Sequence, residues 1–470
     1  MRKFIGDKAF YNRIFKVMIP IFVQNLITNF VNLLDNLMVG QVGTEPMSGV
    51  AIDNQILFVY NLAVFGMLSG AGILGAQYFG KGDIKGVANT FRIKMYSVIV
   101  LLISAFAILN FGGDFLIWKF LHEGEAGLNL NTTFAYAQDY MKVMLIGLVP
   151  FSISQMYSST LRETSNAVVP MRAGIIAVFV NLVFNYILIF GKLGAPAFGV
   201  VGAAMATVLS RVVECSIIVI WTHTHKEKAA FAVGIYKDLK VPGAVVKKAL
   251  RMALPLFANE FLWSCGMTTL NQTLSLRGLE VISAVNITST VTNLFCCAFC
   301  AIGMSLGIIV GQTLGSGQLD LAVDEARKIT ALSCTIATIL GVVMIFVAPA
   351  IADIYKTEDF VKELAVRFIT ISALLFPLDA IVNSFYFTLR CGGKSVITFL
   401  FDCGYTWVLV IPTALAVVRL TSLPIVICYI IIYGVNIAKF FVGLGLVTRK
   451  VWVVNLVGDK DNQKGDLERA

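Results

Sequence analysis

Residues 20–82 read PIFVQNLITNFVNLLDNLMVGQVGTEPMSGVAIDNQILFVYNLAVFGMLSGAGILGAQYFGKG, and residues 255–317 read PLFANEFLWSCGMTTLNQTLSLRGLEVISAVNITSTVTNLFCCAFCAIGMSLGIIVGQTLGSG. Laid over one another without a gap, at an offset of 235 positions, they share Pro20/Pro255, Phe22/Phe257, Gly43/Gly278, Glu45/Glu280, Ser48/Ser283, Val50/Val285, Ile52/Ile287, Gly72/Gly307, Gln77/Gln312, Gly80/Gly315 and Gly82/Gly317. The chain is a duplication. A second echo follows at an offset of 228, where Thr160-Leu161-Arg162 meets Thr388-Leu389-Arg390, Gln155 meets Asn383 and Val168 meets Val396. The first apolar segment of each copy contains an acid, Asp35 in one and Glu260 in the other, at different depths.

Outward from this repeat, 57% of residues are hydrophobic and only 14% charged, with a mean hydropathy of +0.81. A water-soluble domain of this length could not cover so much apolar surface, so the composition implies an all-α integral membrane protein. Apolar runs near 16–40, 50–79, 93–120, 134–161, 167–190 and 197–221 each reach the roughly 20 residues that cross hydrocarbon as a helix. A second six lie near 247–276, 284–315, 327–354, 361–390, 395–419 and 422–447. About twelve transmembrane helices follow, in two six-helix lobes: residues 1–221, a cytoplasmic linker over 222–246, and residues 247–470 ending in a short polar tail. Equal span numbers make the lobes parallel repeats about an axis along the membrane normal, facing one another across a central cavity.

Positive charge sets the expected orientation. The loop after the second span has Lys81, Lys85, Arg92 and Lys94, and the linker region has Lys226, Lys228, Lys237, Lys240, Lys247, Lys248 and Arg251, so both belong on the cytoplasmic side. Loops on the other side lean acidic, through Asp114, Glu123, Glu125 and Asp139 and through Asp353, Glu358, Asp359 and Glu363. Both termini are then cytoplasmic, in a multi-pass protein of the cell membrane, and the basic amino terminus lacks the cleavage pattern of a removable signal. The net charge of +9 sits beside the spans and meets lipid head groups, which excludes nucleic acid as the partner. Eight of the nine cysteines fall inside spans and Cys391 at the end of another, a distribution of free thiols.

Polar residues inside the spans mark a lined interior. Asn25, Asn29, Asn32 and Asn36, with Thr28 and Asp35, recur at helical spacing on one face of the first span. Glu260, Ser264, Thr268, Asn271 and Ser275 repeat the pattern in the seventh, and Asp379, Asn383 and Tyr386 do so in the tenth. A mid-membrane carboxylate costs about 2.5–3.5 kcal/mol on insertion scales, so Asp35, Glu260 and Asp379 are functional candidates. Arg211 and Glu214, one turn apart, read as an internal salt bridge. Asp402 in the eleventh span reads either as a site residue or as a group near the cytoplasmic end satisfied by Arg390 or Lys394. The run Gly70-Ala71-Gly72-Ile73-Leu74-Gly75 matches a dinucleotide fingerprint but has no preceding strand, so it reads as close helix packing. Cys297 and Cys300 form a C-x-x-C within an apolar span, and His223 and His225 lie in a solvated linker without companions for a metal, so no metal site is expected.

Three stretches carry a family likeness: Asp35-Asn36-Leu37-Met38-Val39-Gly40-Gln41-Val42-Gly43, Gly75-Ala76-Gln77-Tyr78-Phe79-Gly80-Lys81-Gly82-Asp83, and Gly199-Val200-Val201-Gly202-Ala203-Ala204-Met205-Ala206-Thr207. With Pro255 and Glu260 in the seventh span and Leu389-Arg390-Cys391-Gly392-Gly393-Lys394 after the tenth, the whole chain resembles the multidrug and toxic compound extrusion (MATE) transporters. The resemblance implies a two-lobe exporter, NorM-like, that exchanges inward Na⁺ or H⁺ for an outward organic cation by rocker-switch alternating access, with no cofactor. It implies Asp35 as the first-lobe cation or proton carboxylate with Asn181, Asn185 and Thr207 beside it, and Glu260 and Asp379 as the second-lobe pair. Archaeal relatives of the DinF-like branch carry a second carboxylate where this chain has Asn185, which favours the NorM-like assignment.

The residues support similar roles on their own chemistry. A hard cation wants oxygens, and Asp35, two asparagine carbonyls and a threonine hydroxyl could supply them; a proton could take the same carboxylate. The cavity for an amphiphilic or cationic small molecule would be acidic, with Asn32, Asn271 and Asn383 and the aromatics Phe30, Phe65, Phe261, Trp263, Phe295 and Phe299 lining it. A monomer in the lipid bilayer is expected. Three other classes compete. A flippase for a lipid-linked saccharide or peptidoglycan precursor would want cationic residues in the cavity. An intramembrane enzyme would want a catalytic histidine or paired acids, and all three histidines are placed in loops. A channel would want a filter-like sequence.

Overall fold

Two of the glycine pairs shared by the copies flank the second helix of each. Gly43 and Gly278 precede the second helix of each copy at φ +148° and +126°, and Gly82 and Gly317 follow it at φ +78° and +82°. Residues with a Cβ rarely adopt such backbone, so the repeat preserves glycine where the chain must turn between antiparallel helices. The computed structural model describes residues 4–121, 129–355 and 357–458, and within helices leaves aside the side chains of Asn32, Leu33, Asn36, Leu37, Phe120 and Leu279. His122, Glu123, Glu125 and most of the polar tail lie outside the described residues.

Every regular element among the described residues is helical. The first copy comprises α1 (Lys8–Gly40), α2 (Thr44–Lys81), α3 (Ile84–Phe120), α4 (Leu130–Glu163), α5 (Val168–Phe190) and α6 (Gly199–Thr224). The second comprises α7 (Gly243–Ser275), α8 (Leu279–Gly315), α9 (Leu319–Ile354) and α10 (Asp359–Cys391). It continues through α11 (Ser395–Phe399), two π-helical segments (Leu400–Gly404 and Thr406–Val410), α12 (Ile411–Leu420), α13 (Ile425–Gly434) and α14 (Asn436–Thr448). Ten stretches among the described residues are long and apolar enough to cross a membrane. Helices α4 and α7 have the length, at 34 and 33 residues, but carry more polar side chains. The protein is an all-α, multi-pass membrane protein.

By packing, the chain divides into two compact units. The first holds Val23–Gly75 and Ile84–Leu250; the second holds Met1–Phe22, Ala76–Asp83 and Arg251–Ala470. Within the first unit, α6 packs on α4 and α5, and α3 on α4. The linker expected to be solvated is folded against this unit. Phe231 is buried with its ring 5.5 Å from that of Phe91, Arg92 Nε donates to the Ile235 carbonyl at 3.2 Å and Tyr96 to that of Leu239 at 2.8 Å. His223, placed in the linker on sequence, occupies the last turn of α6, where its Nε2 lies 2.9 Å from the Tyr157 hydroxyl.

Lys94, counted from the sequence with a basic loop, lies inside α3 and is fully buried. Its Nζ donates to both carboxylate oxygens of Glu163 at 2.7 Å and to Ser159 Oγ and Thr160 Oγ1 at 3.0 Å. The glycine run of α2 makes room for this pair: a Cβ on Gly72 or Gly75 would stand 2.5 Å from a Glu163 oxygen. Close packing is therefore the right account of the run, though its partner is a carboxylate.

In the second unit α10 packs against α8, α9 and α14, and Leu270, Val285, Phe299, Met344, Phe368 and Phe376 belong to one apolar core of that unit. The end of α2 belongs here. Gly80 lies on the Gln312 backbone and Gly315 on the Gln77 backbone, so a Cβ at either would overlap the opposing carbonyl. The contact is reciprocal, as two-fold related surfaces require. The segment after α14 covers it: Leu456 N–H donates to Gln77 Oε1 at 2.7 Å, Gln77 Nε2 donates to the carbonyls of Cys391 and Val454, and Trp452 is buried.

Candidate functional site

In the first unit, α1, α5 and α6 bring four of the expected residues into one hydrogen-bonded chain. Asn185 Nδ2 donates to Asp35 Oδ1 at 2.5 Å and to Asn181 Oδ1 at 3.0 Å, and Asn181 Nδ2 lies 3.4 Å from Thr207 Oγ1. Asn181 and Asn185 are one turn apart on α5, which is why they act as a pair. Both are buried, at 2% and 0% exposure, inside a helix whose other faces are apolar. Asn185 Oδ1 accepts from no protein donor, which leaves an acceptor oxygen open on the residue that holds Asp35. Nearby on α6, Arg211 Nη1 pairs with Glu214 Oε2 at 3.1 Å, the internal bridge that the sequence suggested.

In the second unit the acids are held differently. Tyr386 donates to Glu260 Oε1 at 3.2 Å, Arg390 Nη1 approaches the same oxygen at 3.7 Å, and Arg390 donates to the Tyr386 hydroxyl at 2.9 Å. Asp379 accepts from Asn436 Nδ2 at 3.2 Å, so these two acids have separate partners. Asp402 corrects one of its two readings from the sequence. Its partners are Lys439 of α14, at 2.8 Å, and Asn259 Nδ2, at 3.1 Å, where Arg390 or Lys394 had been expected. Asp402 sits in the first π-helical segment, and Asn259 Oδ1 accepts the Cys403 N–H there at 3.3 Å. The extra residue per π turn leaves backbone groups off the regular ladder, and Asn259 satisfies one of them. Glu260, Tyr386, Asn259, Asp402 and Lys439 thus form one connected polar path, since Asn259 Nδ2 also reaches Tyr386 at 3.5 Å.

Among the residues expected to line a substrate cavity, Asn383 and Phe299 meet within the second unit. Phe30 and Phe261 are about half exposed, at 55% and 47%. Phe295 packs against the apolar core of its own unit, and Asn383 Nδ2 is committed to the Phe299 carbonyl at 3.1 Å. Phe65 and Trp263 are half-buried and Asn271 is exposed, while the side chain of Asn32 lies outside the described residues. No group of three metal-ligating side chains occurs among the described residues, and none of the nine cysteines is in a disulfide.

Asn259, Lys439 and Asp53 are not among the residues expected from the sequence. Lys439 carried the signal already used for Asp35, a charge within an apolar run. Asn259 could have been found as the polar neighbour of Glu260. Asp53 was hidden by its place near a helix start, yet it is fully buried on α2.

One family model, MatE, matches residues 20–187 and again residues 255–415, its two starts falling on the proline pair of the internal repeat. A probable multidrug resistance protein NorM of Thermotoga maritima is 25% identical over 413 residues, covering 86% of this chain and 85% of that one. A Haemophilus ducreyi protein of the same name is 26% identical over 357 residues, covering 74% and 73%. Among solved structures, a MATE in its bent conformation superposes with a TM-score of 0.84 at 20% identity over 96% of both chains. An outward-facing multidrug resistance MATE family transporter of the MOP superfamily superposes at 0.83 with 20% identity, over 96% and 97%. With both halves matched in the register of its own duplication, this protein is a NorM-like member of the MatE family, the multidrug and toxic compound extrusion group.

Proposed function

We propose that this protein is a secondary active multidrug efflux antiporter that exchanges inward Na⁺ or H⁺ for outward organic cations by alternating access. The observation that carries this reading is the chain Asp35–Asn185–Asn181–Thr207, a carboxylate tied to oxygen-bearing side chains inside apolar helices. A monovalent ion entering there would meet one full negative charge and several neutral oxygens, the donor set a hard cation prefers. A proton would be held by Asp35 alone. Either occupant changes the charge that Asn185 must stabilise, and so changes the energy of holding α1 against α5. Glu260 and Asp379 supply the second unit's acids, and the multidrug-resistance names of the relatives support export of diverse small molecules.

A flippase of lipid-linked saccharides is the second reading. It would need cations aimed at a pyrophosphate, and the buried cations of the second unit, Arg390 and Lys439, are paired with Glu260 and Asp402. The test is uptake of a fluorescent organic cation into inside-out vesicles under separately imposed Na⁺ and proton gradients. One gradient should drive uptake, and Asp35→Asn and Glu260→Gln should each reduce it at least about tenfold at equal expression. No uptake under either gradient by folded protein would shift the assignment to the flippase.

A further inference from the structure

We propose that Asp53 binds a monovalent cation, a proton or Na⁺, on the face of α2 that packs against α4, as a second carboxylate site of the first unit. Its binding stands on geometry; its linkage to Asp35 rests on the antiport reading above.

Gly49, Asp53 and Tyr60 fall on one stripe of α2, and the first and last of them fix what the stripe faces. A Cβ at Gly49 would meet the Thr133 carbonyl and Ala137 N at 2.9 and 3.0 Å, and the Tyr60 hydroxyl lies 2.6 Å from Ser152 Oγ. Helix α4 therefore runs alongside, and the position opposite Asp53 falls near Tyr140, which is itself buried. Asp53 is 0% exposed and neither of its oxygens accepts a hydrogen bond from any protein donor. No ion pair reaches it among the described residues. The titratable and charged groups around this face are Tyr140 and, within range of Tyr140, Asp35 of α1 and Arg211 of α6. An ionised carboxylate buried with neither donor nor counter-charge costs several kcal/mol, so an occupant must neutralise it.

The duplication supplies an internal control. The residue that matches Asp53 in the second copy is Thr288, whose hydroxyl is satisfied within its own helix by the Ala284 carbonyl at 2.8 Å. The fold accepts a neutral residue at this position. A carboxylate there carries a burden that helix packing alone does not require. By helix rise Asp53 lies about 14 Å into α2 and Asp35 about 8 Å before the end of α1. Both acids lie within electrostatic range of Tyr140.

The experiment uses the purified full chain. Infrared difference spectroscopy reads protonated carboxyl groups through their C=O stretch, and ²²Na⁺ binding reads sodium. If the occupant is a proton, Asp53→Asn loses one carboxylic-acid band that Asp35→Asn retains, and adding Na⁺ leaves that band unchanged. If it is Na⁺, Asp53→Asn binds about one ²²Na⁺ fewer per chain than wild type. Asp53→Thr, which installs the second copy's residue, should fold at least as well as wild type and show the same loss. Unchanged bands together with unchanged ²²Na⁺ binding in both variants would overturn the proposal. Misfolding of both would overturn it too, because it would reveal a structural partner for the carboxylate. Failure of the antiport reading would appear as undiminished uptake in Asp35→Asn and would leave the Asp53 signal in place.

Discussion

Asn185 uses one amide group to hold two neighbours, donating to Asp35 and to Asn181. Asn185→Leu would leave Asp35 without its donor inside an apolar helix pair, and losing a partner of a buried charged group costs about 1–3 kcal/mol or more. We expect ion-driven uptake to fall at least about tenfold while the folded yield changes little; uptake equal to wild type would mean that Asn185 is packing only. Lys94 and Glu163 present the opposite case, with a pair in place of an open acceptor. Replacing either alone should destabilise the first unit by about 3–5 kcal/mol, whereas Lys94→Met with Glu163→Leu should recover most of the loss, because an apolar pair leaves no charge unpaired. Detergent-solubilised thermal unfolding of the three variants would show this, and additive losses would contradict it. The acids and their burial were legible in the sequence as charges within apolar runs. Lys94 was not, because a lysine near a loop looks the same whether it points to water or to a glutamate placed 69 positions later.

At the scale of the element, α11 and α12 depart most from the straight helix that their hydropathy suggests. Two π-helical segments interrupt the span, and Asn259 and Thr406 satisfy groups within it. In residues 395–420 the one glycine, Gly404, ends the first π segment and the one proline, Pro412, follows the second, and neither names a partner for the π turn. The π turn instead answers partners on other helices, Asn259 on α7 and Lys439 on α14. Asn259→Ala should therefore speed amide hydrogen exchange across Phe401–Thr406 while α10 stays protected. Unchanged exchange there would show that the π geometry is intrinsic to the segment.

For the whole molecule, α2 is shared: its body through Gly75 belongs to the first unit and its end from Ala76 to the second. The reciprocal seat of Gly80 and Gly315 and the cover formed by Val451–Gly458 depend on Gln77, which is fully buried. Gly80→Val would drive a side chain into the Gln312 carbonyl, and truncation after Lys450 would strip Gln77 of the Val454 and Leu456 contacts. Both should lower the unfolding midpoint by several degrees, with Gly80→Val the worse because backbone cannot give way as a tail can; equal stability to wild type would show the contact to be dispensable. Local composition and a repeat at a constant offset suffice to establish that the chain is helical, membrane-spanning and duplicated. They also place Asp35, Glu260 and Asp379 within apolar helices. Tertiary packing sets the rest: the Lys439–Asp402 pair matches no expectation, Asp53 has no protein donor, and the Asn185–Asp35 bond, implied beforehand by the family resemblance alone, follows from how α5 lies on α1. Those outcomes depend on contacts between helices far apart in the chain, and no local pattern of residues encodes them.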